Sequence, residues 1–162
     1  MRTIRGSVKG WASLRAKKHK PPKERMKCYQ QRDDRLLVMG YSEYKNYLAS
    51  DAWREIRERR LAKCPQCTLC DAPATQVHHL DYTYETLFGR QDFRLAQLCR
   101  ACHRTIEFDG ERKLTVREAT GKLYKLAEET ERGRRWIIWT VHRKREKKLV
   151  MRRKRRQAKQ VK

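Results

Sequence analysis

Cys67-x-x-Cys70, Val77-His78-His79-Leu80 and Leu98-Cys99-x-x-Cys102-His103-x-x-x-Glu107 form one continuous region, and its reading decides the fold. Two Cys-x-x-Cys pairs about thirty residues apart have the spacing of a tetrahedral zinc site, with two thiolates supplied by each knuckle. Four cysteines complete such a site by themselves. The three histidines beside them, His78, His79 and His103, are therefore free for other chemistry.

Immediately upstream, Cys64-Pro65-Gln66-Cys67-Thr68-Leu69-Cys70 offers three cysteines for two ligand places. The Cys67/Cys70 pair is favoured because a residue following a knuckle cysteine often needs positive φ. Asp71 tolerates that conformation and β-branched Thr68 does not. Cys64 and Cys28 are then spare.

Downstream of the second knuckle a helix is expected from about Arg100, with Gly110 as its end signal. His103 and Glu107 lie four residues apart on that helix, so one face presents both to the same ion. His78 and His79 are neighbours on a short strand over Ala74–Leu80 and point in opposite directions. They are suited to different tasks, one as a metal ligand and the other as a free base near neutral pH. A second short strand is expected over Phe93–Leu98.

Two helices are expected before the knuckles. Tyr44, Tyr47 and Leu48 share one face, with Ser42 as cap, and Ser50 opens a second helix with Trp53, Ile56, Arg60 and Leu61 along one side. After the central region, Thr115-Val116-Arg117-Glu118 is a capping-box pattern. It opens a helix that turns Ala119, Leu123, Leu126 and Ala127 inward, and Gly133 is expected to break it. Trp136–Val141 fits either a buried strand or the start of a helix running into the basic tail.

Charge separates the chain into parts. Of its 162 residues, 42 are Lys or Arg and 19 Asp or Glu, a net +23. Residues 1–35 net +9, residues 132–162 net +14, and residues 36–131 net zero. A neutral unit between two cationic arms implies a polyanionic partner. Nucleic acid is expected rather than a membrane, because neither arm has the sustained apolar face of an interfacial helix. Arg54, Arg57, Arg104, Arg143, Lys144, Arg145, Arg152, Arg153, Arg155 and Arg156 are the candidate nucleic-acid contacts. No protein partner is indicated. The N-terminus has no apolar signal core and the longest apolar run is too short to span a bilayer, so a cytoplasmic location is expected, with cysteines reduced.

The Cys67-x-x-Cys70, Val77–Leu80 and Leu98–His103 motifs resemble the HNH endonuclease superfamily, the ββα-metal nucleases. Tyr44-Lys45-Asn46-Tyr47-Leu48, Ser50, Trp53, Ile56 and Arg57 look like the lead-in helix of small phage and bacterial members. The resemblance covers about residues 41–108 and implies an α+β fold: a small zinc-stabilised ββα-metal core with flanking helices and basic N- and C-terminal arms. It divides the chain into a basic flexible arm (1–40), a zinc-binding nuclease domain (41–110), a helix packed on the core (111–131) and a basic C-terminal segment (132–162).

The same resemblance implies a metal-dependent endonuclease acting on DNA, double-stranded DNA being the expected substrate, in a bacterial or phage-infected cell or on a mobile element. Cys67, Cys70, Cys99 and Cys102 would hold structural Zn²⁺. His78, His103 and Glu107 would hold one divalent catalytic ion (Mg²⁺, Mn²⁺, Ni²⁺ or Zn²⁺), and His79 would be the general base. Products would carry 5′-phosphate and 3′-hydroxyl ends. Arg94 stands where the family usually has the asparagine that orients the base, so it is expected to hold a phosphate or take the orienting role, with Gln91 or Asp92 as substitutes. The alternative is an HNH-derived, zinc-containing nucleic-acid-binding protein without turnover.

Overall fold

The computed structural model describes residues 23–160. Strands β1 (Gln76–His79) and β2 (Leu95–Leu98) pair antiparallel at its centre, with Val77 opposite Gln97, His78 opposite Ala96 and His79 opposite Leu95. Directly opposed residues share a face, and the faces alternate along each strand. Val77 and Leu95 therefore join one apolar cluster with Leu36, Tyr47, Trp53, Ile56 and Leu87. Ala96 and Leu98 join another with Cys67, Leu69, Ile106, Leu123, Ala127 and Trp136. Two cores lie back to back across a two-stranded sheet, giving a small mixed α+β fold.

The first core is roofed by helices α1 (Lys23–Val38), α2 (Tyr44–Ala49) and α3 (Asp51–Lys63). The Ser50 hydroxyl caps α3 by accepting from the Trp53 N–H at 3.2 Å. Trp53, Ile56 and Arg60 are buried on its inner side. Glu43, not Ser42, occupies the cap position of α2, while Ser42 accepts from the Asn46 side chain.

Helix α1 corrects the expectation of a flexible arm over 1–40 as far as residues 23–38 are concerned; residues 1–22 lie outside the described residues. Leu36 is fully buried, but its neighbours Leu37 and Val38 are exposed. Arginines do much of the remaining docking. Arg35 donates to the Tyr82 carbonyl at 3.0 Å, and the Arg32 guanidinium lies 4.3 Å from the Tyr44 ring centroid. Cation–π and backbone contacts leave no apolar period in the sequence.

After β1 come the short helix α4 (Tyr84–Leu87), a 3₁₀ turn at Asp92–Arg94, and β2. Helix α5 (Arg100–Glu107) then leads into a hairpin of β3 (Phe108–Asp109) and β4 (Arg112–Lys113). Gly110, at φ +58°, makes the turn of this hairpin and is not the helix end. Left-handed backbone costs glycine little.

The second core is closed by α6 (Val116–Glu129) and α7 (Glu131–Gln160). The expected capping box is present: Thr115 and Glu118 exchange side-chain-to-backbone hydrogen bonds. Gly133 does not break α6, which ends at Glu129. It lies in the first turn of α7, where a Cβ would stand 2.3 Å from the Ala127 carbonyl oxygen. Its role is close approach of two helices. Trp136–Val141 is helical, with Trp136 and Thr140 buried and Ile138 exposed. The helix continues through the basic segment to Gln160. Among the described residues no helix is long and apolar enough to cross a membrane.

Candidate metal centres and the cavity beside them

Cys67 and Cys70 sit on the loop after α3, and Cys99 and Cys102 at the start of α5. Their four sulfurs lie within 4.8 Å of one another. Cys70 stands 3.7 Å from both Cys99 and Cys102, sulfur to sulfur. The edge of a tetrahedron built on Zn–S bonds of about 2.3 Å is about 3.8 Å. The donor set and its spacing therefore fit a structural metal ion such as zinc. Cys64 caps the end of α3, and neither it nor Cys28 joins the cluster. Pairing Cys67 with Cys70 is correct, but its supporting reason is not, because no described non-glycine residue has positive φ.

The start of α5 also tunes these thiols. Burial raises the Cys99 thiol, but the Cys102 backbone N–H and neighbouring thiols more than offset that, leaving its pKa below the ordinary value. That N–H donates to Cys99 Sγ at 3.4 Å. A thiolate at a helix N-terminus is favoured by the same amides that would otherwise lack partners.

A second group of donors lies on the other side of α5. His78, His103 and Glu107 place their ligand atoms within 4.8 Å of one another. The His78 and His103 rings meet edge to face with centroids 5.5 Å apart, and His103 Nε2 lies 3.7 Å from Glu107 Oε1. A tetrahedral edge for bonds of about 2.1 Å is about 3.4 Å, so a small closure brings these atoms to ligand spacing. Two imidazoles and a carboxylate leave coordination positions open. Across the sheet His78 stands opposite the small side chain of Ala96.

His79 points the opposite way, as strand alternation requires. Its ring stacks on Trp53 at 4.4 Å and is flanked by Tyr44, Tyr47 and Tyr82. The Tyr44 hydroxyl is 3.4 Å from His79 Nδ1, and the buried Nε2 has no hydrogen-bond partner. Burial lowers the pKa of His79 to about 3. Burial, with the nearby His103 and His79, lowers that of His78 to about 3. Burial also lowers His103, against the opposing pull of Glu107. Burial therefore favours the neutral form of all three imidazoles, the form in which a ring nitrogen is free to bind a metal.

Both histidine faces open onto one cavity of about 600 Å³. Its wall includes His78, His79, His103 and Glu107 together with Tyr44 and Arg57. His79, outside the donor triad, thus contributes to the same cavity wall as the triad, with its Nε2 buried.

Arg94 does not join this cavity wall. Its guanidinium pairs with Asp81 and donates to Gln91 Oε1 at 2.7 Å, and Asp81 also accepts from Thr83 and Thr86. Arg94 staples the 81–91 loop. Asp92 is held by Lys63 at 2.7 Å. The polar group beside His79 is Tyr44, which sequence reading treats as part of an apolar helix face. The sequence shows only its place in the Tyr44, Tyr47 and Leu48 stripe, of which Tyr47 is buried and Leu48 exposed, and that spacing carries no hint of a histidine.

The candidate nucleic-acid contacts fall into two sets. Arg57 lines the cavity and donates to the Thr75 carbonyl at 2.7 Å, Arg54 pairs with Asp51 on the exposed side of α3, and Arg104 is exposed on α5. Arg143, Lys144, Arg145, Arg152, Arg153, Arg155 and Arg156 are exposed along α7, with Arg143 paired to Glu146 at 3.1 Å.

The fold and these sites define a small α+β protein with a four-cysteine cluster suited to a structural metal ion. Comparison with protein-family models, curated proteins and solved structures finds no match to this chain.

Proposed function

We propose that the protein is a metal-dependent endonuclease of the HNH, or ββα-metal, type that hydrolyses DNA phosphodiester bonds. The observation that carries this reading is the shared cavity: the wall that holds the His78–His103–Glu107 donor triad also includes His79, beside a four-thiol cluster. A zinc scaffold alone has no use for that second set.

In this reading Cys67, Cys70, Cys99 and Cys102 hold the structural zinc, and His78, His103 and Glu107 hold the catalytic cation. Bound there, a divalent cation would supply Lewis-acid stabilisation of charge on the phosphate and the departing oxygen. His79 accepts a proton from water as the water oxygen attacks phosphorus. The bond to the 3′ oxygen breaks, leaving 5′-phosphate and 3′-hydroxyl ends. Trp53 and Tyr44 hold the imidazole ring. Arg57 meets phosphates at the cavity, and the cations of α7 bind the backbone without reading sequence, since phosphate contacts position a protein but carry no base information.

Supercoiled plasmid incubated with the protein and Mg²⁺, Mn²⁺ or Ni²⁺ tests the proposal. Nicked or linear product that disappears with His103→Ala and Glu107→Ala is expected. Absence of cleavage with every ion would leave the second reading, nucleic-acid binding without turnover. That reading is favoured by one observation: Arg94, where an orienting asparagine would stand, is committed to Asp81 and Gln91.

A further inference from the structure

Helix α7 is packed along its first half only, where Gly133, Trp136 and Thr140 are buried. From Arg143 to Ala158 every residue is exposed except the half-buried Lys147. At 1.5 Å per residue this is about 24 Å of helix. The stretch holds ten Lys or Arg and one acid, Glu146. Arg143 pairs with Glu146 at 3.1 Å, and the acid facing it from the body is Asp92, which Lys63 already holds. Among the described residues the other nine cations have no ion-pair partner.

Two features of this charge matter beyond its amount. Lys144, Lys148, Arg152 and Arg156 follow one another at four-residue spacing, so like charges repel along the helix unless anions lie beside it. The cations also surround the helix axis. Residues seven apart share a side, which aligns Arg145 with Arg152 and Lys147 with Lys154. A step of two residues turns through about 200°, so the two pairs lie on nearly opposite sides. A helix lying along one phosphate backbone, or against a single strand, uses one side. Opposite sides are engaged together only where phosphates flank the helix on both.

We propose that the second half of α7 lies in the major groove of duplex DNA, Arg145 and Arg152 on the phosphates of one strand, Lys147 and Lys154 on those of the other. An α-helix with its side chains is about 10–12 Å across. The major groove of B-form DNA is about 12 Å wide and admits it. The deep, narrow major groove of A-form RNA does not. This rests on the reading of the protein as one that acts on DNA, and narrows its substrate to the duplex. It does not depend on cleavage.

Fluorescence anisotropy with the zinc-loaded 162-residue chain, and no second cation, tests it. The probes are a labelled DNA duplex, one of its strands alone, and an RNA duplex of the same sequence, compared at one ionic strength. The DNA duplex should bind most tightly. Filling its major groove with glucosylated 5-hydroxymethylcytosine should weaken binding, while netropsin, held in the minor groove, should not. Two double variants, Arg145→Ala with Arg152→Ala and Lys147→Ala with Lys154→Ala, report on the two sides. Alanine favours the helix, so folding is not at stake. Each should reduce the slope of log affinity against log salt by about 1.8, two phosphate contacts' worth. Absence of DNA binding would overturn the proposal. Equal affinity for single strands or duplex RNA would also do so, as would indifference to glucosylation or a slope change in one double variant alone. Plasmid cleavage by a protein that fails these tests would remove the groove placement and leave the nuclease reading; groove-dependent binding without cleavage would do the reverse.

Discussion

The imidazole of His79 lies on the indole of Trp53, with ring centroids 4.4 Å apart and planes 26° from parallel. Trp53 is 6% exposed and belongs to the core formed with Ile56, Val77 and Leu95. One side chain therefore does two jobs, packing the core and fixing the ring plane of the proposed base. Trp53→Ala should lower stability by about 3–5 kcal/mol, the range for emptying a buried aromatic site. Trp53→Phe should cost less and retain the stacking. Urea denaturation of the two variants measures the difference.

The four-thiol cluster is expected to govern folding. Structural zinc in small domains contributes roughly 10–16 kcal/mol of apparent binding free energy. Chelation, or Cys99→Ala, should therefore abolish the cooperative thermal transition seen by circular dichroism. Cys64→Ser should leave one tightly held zinc per chain, because Cys64 lies outside the cluster. Zinc content by atomic emission reads this directly, and loss of metal from Cys64→Ser would reassign the ligands.

Two glycines should respond to alanine with opposite signs. At Gly133 the new Cβ would sit 2.3 Å from the Ala127 carbonyl oxygen, so α7 must move away from α6. Overpacking of this kind costs about 1–3 kcal/mol. At Gly121, inside α6, nothing lies within 4 Å of the new atom. There alanine should stabilise by about 0.5–1 kcal/mol through helix propensity. Melting temperatures of the two variants should move apart.

The capping box gives a pH dependence of known sign. The Thr115 backbone N–H, the Arg112 guanidinium and the Thr115 side chain lower the pKa of Glu118 from 4.5 to about 2. A carboxylate whose pKa is lower in the folded chain stabilises it fully above the unfolded value. That contribution disappears as pH falls from about 4.5 towards about 2. Glu118→Gln should flatten the acid limb of the stability curve in that window. Thr115→Ala should cost about 0.5–2 kcal/mol at neutral pH.

Residues acting through local rules were legible in the sequence. Ser50 and Thr115 cap the helices expected of them, and cysteine spacing placed Cys67, Cys70, Cys99 and Cys102 together. Strand alternation separated His78 from His79. What escaped was tertiary. Helix α1 docks through Arg32 and Arg35, whose contacts with Tyr44 and Tyr82 leave no apolar period. Gly110 and Gly133 were visible as breaks, but whether a glycine serves a hairpin or a helix crossing depends on what stands opposite. Arg94 was read from its position relative to His103, while its partners Asp81 and Gln91 were set by the fold of the loop. Spacing put Arg60 on the Trp53 and Ile56 side of α3, where it is buried; its contact with Trp139 depends on α7, which sequence left between strand and helix.

The most direct test of the central claim is the single-turnover rate of plasmid cleavage by His79→Ala, measured with zinc and the second cation both shown to be bound. A positioned general base contributes about 10²–10⁴-fold. The account predicts a loss in that range with DNA affinity essentially intact, since the phosphate contacts lie on Arg57 and α7. Cleavage at the original rate in His79→Ala would contradict it.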